Sequence, residues 1–95
     1  MPFQVFWSTV ARQALRTMSS KAPRPLRLRL AENLRQINER LTNDPTAVGE
    51  IYRSSGPFLE YLGAIGVLAF DFAVDEHHHL VSVRTCHLLS GRGLD

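Results

Sequence analysis

The chain is 95 residues long, 44% hydrophobic and 21% charged, with a formal net charge of +2. That length leaves room for one core rather than two, and that balance excludes global disorder. A charge of +2 does not by itself mark a nucleic-acid binder, and no apolar run approaches the ~20 residues a membrane-crossing helix needs.

The first element is FQVFW, Phe3 to Trp7, an aromatic and β-branched run with Phe3, Val5 and Trp7 on one face at period 2. It predicts a strand. Ser8 then offers a hydroxyl cap, and Val10, Ala11, Ala14, Leu15 and Met18 form the stripe of an amphipathic helix that stops at SSKAP. A second helix follows. Pro23 and Pro25 are tolerated only near its start, where backbone N–H groups are unpaired anyway. Leu26, Leu30, Leu34, Ile37 and Leu41 step by four, four, three and four, the strongest local signal in the chain. TNDP, Thr42 to Pro45, ends this helix, because a residue before proline is biased out of the helical region.

Everything after residue 50 reads as β. EIYR is short and extended, SSGP (Ser54 to Pro57) is a turn, and FLEYL alternates weakly. GVLAFDFAV places Leu68, Phe70, Phe72 and Val74 on one face, with Val67, Ala69, Asp71 and Ala73 on the other. DEHHH interrupts, and LVSVRTCHLL resumes with Val81 and Val83 in step. From about residue 90 the chain reads as a frayed tail. The expected architecture is a single α+β domain over residues 1–95. In it the first strand and a two-helix hairpin pack on a three- to four-stranded antiparallel sheet. Leu34 and Phe70 are expected to meet in one core.

Cys86 is the single cysteine, so neither an internal disulfide nor a cysteine-based zinc site is expected, and a reducing, cytoplasmic compartment fits. The start MPFQVFWSTVARQ lacks a basic segment followed by a long apolar run, so no secretory leader is expected. Charge is uneven. Residues 12–40 hold Arg12, Arg16, Lys21, Arg24, Arg27, Arg29, Arg35 and Arg40 against only Glu32 and Glu39. Such a half suits an anionic partner, RNA or an acidic polypeptide, or simply forms a solvated helix face. Arg24, Arg27 and Arg35 are the candidate phosphate or RNA contacts.

Three segments, FQVFWSTVARQAL, LRQINERLTNDPTAVGE and GVLAFDFAVDEHHHLVSV, in this order of elements, resemble the RelE/ParE superfamily of toxins from type II toxin–antitoxin systems. The resemblance spans roughly residues 3 to 89, with Gly66, Phe70, Val74, Asp75 and Glu76 in register with the family's hairpin. It implies a RelE-like fold, a cytoplasmic location, a cognate antitoxin that binds through a helical segment, and either the ribosome and mRNA or a topoisomerase-type target. No cofactor, metal or membrane is expected from the sequence. The chain also departs from the family's ribosome-dependent ribonucleases. They place an arginine two residues after the strand's glycine, where this chain has Leu68, and a basic or aromatic pair after the last strand, where it has His87, Leu88 and Leu89.

Cleavage by attack of a ribose 2′-hydroxyl needs a base, a cation at the phosphorane and an acid for the leaving oxygen. His87, at the end of the last strand, is an imidazole, a side chain suited to proton transfer. Arg53 and Arg84 are the cations within reach of the sheet's open face. Arg84 stands at an odd offset from His87, so the two face opposite ways unless a bulge intervenes. Glu50 is a weaker candidate base, and Ser54 or Ser55 with His87 a weak hydrolase pair without the strand-turn motif such enzymes use. His77, His78 and His79 are consecutive and cannot converge on one metal in a strand. They read as a polar turn, dispensable for the fold. Two function classes remain: an mRNA-cleaving toxin with a degraded or altered site, and a binding protein on the same fold without catalysis.

Overall fold

The computed structural model describes residues 2–89, with the backbone alone at Ser55. The expected tail from about residue 90 lies outside the described residues. In chain order the elements are β1 (Gln4–Trp7), α1 (Thr9–Lys21), α2 (Arg24–Asn43), a 3₁₀ turn (Pro45–Ala47), β2 (Gly49–Ser55), β3 (Phe58–Ile65), β4 (Leu68–Asp75) and β5 (Leu80–Leu88). The fold is α+β. Strands β2 to β5 form a four-stranded antiparallel meander, and β1 extends it as a fifth strand, parallel to β5, giving the order β1-β5-β4-β3-β2.

The alternation read in β4 is the spine of the core. Leu68, Phe70, Phe72 and Val74 are all fully buried, beside Val81, Val83 and Cys86 of β5. Tyr61 stacks on Phe72 at 5.2 Å between ring centroids, and Ala11, Leu30, Ile37 and Leu41 close the same cluster from the helices. Leu68 thus points into this core and away from the sheet's open face.

Leu34 differs from the expectation. It is half-buried and lines an open groove of about 490 Å³ with Val5, Phe6, Trp7, Arg12, Leu15 and Asn38, between α2 and the β1 edge. A stripe stepping by four drifts around a helix of 3.6 residues per turn, so the buried line runs Leu30–Ile37–Leu41 and leaves Leu34 to one side.

Polar groups dock α2 at three places. Asn38 Oδ1 accepts the Trp7 indole N–H at 2.7 Å. The Thr42 carbonyl accepts the Phe3 N–H at 2.8 Å. Asn33 Oδ1 accepts the Val67 N–H at 3.0 Å, at the β3–β4 turn. That turn has Gly66 at φ 61°, and a Cβ there would stand 2.2 Å from Asn33 Oδ1, so both the backbone and the space demand glycine.

The histidine triplet does form the β4–β5 turn, but its members differ. His77 is exposed. Asp75 is buried and its carboxylate accepts the His78 N–H at 3.1 Å and meets His78 Nδ1 at 2.8 Å. The His78 hydrogen bond holds that carboxyl below its ordinary range. His79 adopts φ 55°, stacks on Phe3 at 4.9 Å, and passes its carbonyl to the Gln4 N–H. It is therefore placed as a clamp on the start of β1, whereas His77 is solvent-exposed.

Phe70→Ala should cost about 3–5 kcal/mol in denaturant unfolding, and Leu34→Ala only about 1–2 kcal/mol, because Leu34 is half in water. Leu68→Arg should be far worse than a surface change, losing about 3–5 kcal/mol or more by burying an unpaired charge. His77→Ser should leave the melting temperature unchanged, whereas His79→Ser should remove a stacking contact of about 0.5–1.5 kcal/mol. Equal melting temperatures for the two histidine variants would contradict the clamp.

Candidate functional site

Opposite the helices, the sheet's other face carries the polar side chains, and two β-bulges decide which of them meet. In β2 the register passes from Ile51 opposite Tyr61 directly to Arg53 opposite Glu60, so Tyr52 is the extra residue. Were the ladder regular through Tyr52, Arg53 would fall opposite Leu59, on the core side. In β5 the register passes from Val83 opposite Phe72 to Thr85 opposite Asp71, leaving Arg84 extra. Inward parity therefore shifts from Val81 and Val83 to Cys86, and Arg84, Thr85 and His87 all become exposed. The odd offset between Arg84 and His87 is cancelled by this bulge.

Ser8 secures the second bulge. Its hydroxyl donates to the Arg84 carbonyl at 2.6 Å and accepts the Ala11 N–H at 3.0 Å as the cap of α1. Its own N–H donates to the Val83 carbonyl at 2.9 Å. Asp71, the nearest acid to the bulge, is occupied by Thr85, whose N–H donates to Oδ1 at 2.9 Å and whose hydroxyl donates to the same oxygen. Arg84 is thereby left for Glu60.

Glu60 is the centre of the face. Arg53 donates through Nε at 2.7 Å to one carboxylate oxygen and through Nη2 at 3.2 Å to the other, and Arg84 Nη1 donates to the latter. Arg84 comes from two strands away, crossing over Ala73, the small β4 residue that stands opposite both Glu60 and Ser82. The Glu60 side chain is only 2% exposed, while those of Arg53 and Arg84 are 63% and 43% exposed. The carboxylate is thus roofed by guanidinium groups and not sunk in the core. The Arg53 hydrogen bonds, with the charges of both arginines, hold Glu60 below its ordinary carboxylate range, and Glu60 in turn raises Arg53. A carboxylate so held is ionised at neutral pH and is a weak proton acceptor.

The sequence-derived candidates divide. Arg53 and Arg84 meet, on a carboxylate that the residue pattern did not single out. His87 shares their face but stands opposite Ala69, four residues along β4 from Ala73, or ~13 Å at strand rise. Ser54, opposite Leu59, is farther still from His87, so Ser54 and His87 do not pair. Glu50 is exposed and opposite Leu62. On α2, Arg24 and Arg27 are exposed without ion-pair partners among the described residues. Arg35 pairs with Glu32 at 2.7 Å and Glu39 at 3.0 Å, so its charge is largely spent within the helix. Among the described residues no group of three or more His, Cys, Asp or Glu side chains is arranged to hold a metal ion. No described helix is long and apolar enough to cross a membrane. Glu60 could have been suspected from one signal, a lone acid in FLEYL opposite an arginine-bearing strand, but the register that pairs them depends on the bulges.

No protein-family model matches the sequence, and no curated protein is similar to it at a significant level. Solved structures do match. A chain of the toxin–antitoxin complex RelBE2 from Mycobacterium tuberculosis superposes with a TM-score of 0.68 at 21% identity, over 94% of this chain and 93% of that one. A chain of the archaeal RelE–RelB complex from Pyrococcus horikoshii OT3 gives 0.66 at 16% identity, over 93% of this chain and 96% of that one. With nearly the whole chain superposed on both, the protein has the RelE-like fold.

Proposed function

We propose that the chain is the toxin-like component of a toxin–antitoxin pair, that it engages RNA through the open sheet face, and that it cleaves mRNA weakly or not at all. The single observation behind this reading is the separation of parts. The two arginines converge on Glu60, while His87, at the end of the last strand, stands four residues farther along the strands. A phosphate held by Arg53 and Arg84 would stand ~13 Å along the strands from His87, the candidate acid or base. Absence of one preorganised charge-stabilising donor alone typically costs ~10²–10³ in rate. The exposed Arg24 and Arg27 add sequence-independent attraction for the RNA backbone.

The neighbours' complexes with RelB support an antitoxin as partner. The apolar groove bounded by Phe6, Trp7, Leu15 and Leu34 suits a helical segment of it. A cytoplasmic location fits this reading. A second reading, a protein target and no RNA, is favoured by the exposed Phe58 and Leu62, which share the face with Glu60.

Expression in a translating extract with mapping of mRNA ends separates these. The expected result is no codon-positioned cleavage, with RNA retained by the purified protein. Strong cleavage that disappears in His87→Ala would overturn the proposal. Growth arrest on overexpression without RNA retention would favour the protein target.

A further inference from the structure

The arrangement around Glu60 leaves a choice between two roles with opposite consequences. A carboxylate bonded to two arginines either occupies the place an incoming phosphate would take, or holds the arginines ready for it. Exposure decides. Were Glu60 a competitor, its carboxylate would sit on the outer side of the guanidinium groups, facing water. It is only 2% exposed, and the arginines that cover it are 63% and 43% exposed. Arg53 spends its Nε and Nη2 edge on Glu60, and Arg84 spends Nη1. Each guanidinium has five N–H donors in a rigid plane, so Arg53 Nη1 and Arg84 Nε and Nη2 remain for a ligand. Two positive charges over one negative leave the cluster net positive by arithmetic.

We propose that Glu60 is a positioning residue, whose carboxylate braces Arg53 and Arg84 from beneath into one platform that takes a single backbone phosphate of single-stranded RNA on its outer side. This rests on the RNA-binding reading above. The chemistry is that of forked, charge-assisted recognition of an oxyanion, in which the side-chain ordering is completed before the ligand arrives. Ala73 is part of the device. Opposite Glu60 in the register, it is small enough to let Arg84 pass across β4 to the carboxylate.

The test is binding of a short fluorescent single-stranded RNA by anisotropy at several salt concentrations. It compares the wild type, Glu60→Gln, Arg53→Ala, Arg53→Lys and the double variant Glu60→Gln with Arg53→Ala. Glu60→Gln should weaken binding by about three- to tenfold although it removes a negative charge, and the loss caused by Arg53→Ala should be smaller in the Glu60→Gln background. Arg53→Lys keeps the charge but loses the fork, and should weaken binding nearly as much as Arg53→Ala. Tighter binding by Glu60→Gln would show a competitor and overturn the brace. So would equal effects of Arg53→Ala in both backgrounds, or full binding by Arg53→Lys. A wild type that binds no RNA at all would remove the underlying reading, and the platform with it. The Arg53→Lys comparison does not depend on how well Glu60 variants fold.

Discussion

The open face of this protein is organised by the parity of β-strands. A strand sends successive side chains to opposite faces, so a single inserted residue exchanges inside for outside along everything beyond it. Two such insertions, at Tyr52 and Arg84, act on the two strands that flank the central pair β3 and β4. The first turns Arg53 away from the core side and sets it against Glu60. The second leaves Arg84 outside the ladder, gives Asp71 to Thr85, turns Cys86 inward and turns His87 outward. A residue outside the ladder has a backbone carbonyl to satisfy, and the Ser8 hydroxyl supplies the donor while also starting α1. The cap of a helix and the aim of an arginine are therefore one local structure.

The core beneath depends on such a device only at Cys86, which is why so much of it was legible. Leu68, Phe70, Phe72 and Val74 alternate without interruption, and all four are buried as the pattern requires. The α2 stripe was legible too, except that Leu34 falls to the side because helical pitch and a step of four do not coincide. Burial of apolar surface is summed over many residues, so a pattern survives one misplaced member. The bulges are of another kind. Each rests on one residue and a few hydrogen bonds, and the residues concerned, Tyr52 and Arg84, are ordinary strand residues in composition. The parallel pairing of β1 with β5 was likewise hidden, because it joins segments more than seventy residues apart through backbone groups that every sequence possesses.

The histidine turn shows the same limit from another side. Three identical side chains carry one residue type and three roles: a solvated ring, an acid-bound ring, and a stacked ring in a left-handed backbone. What differs is position in the turn. His79 is the residue that reverses the chain, and histidine visits that region more readily than bulky or β-branched residues do. Its stacking on Phe3 then ties the meander's last turn to the first strand.

A likeness of backbone at 21% and 16% identity carries the fold and stops there, because catalytic power lies in a few side chains whose placement the backbone does not dictate. In this chain the sheet sets Arg53 and Arg84 on Glu60 and His87 four residues away along the strands. Moving His87 toward that site is not a matter of one substitution. Its row is set by the β5 register, and shifting that register by one residue would turn Cys86 out and His87 into the core against α1, where the Cys86 thiol now meets the Ala11 carbonyl. The constraint that aims Arg84 at Glu60 is thus the same one that keeps His87 at a distance.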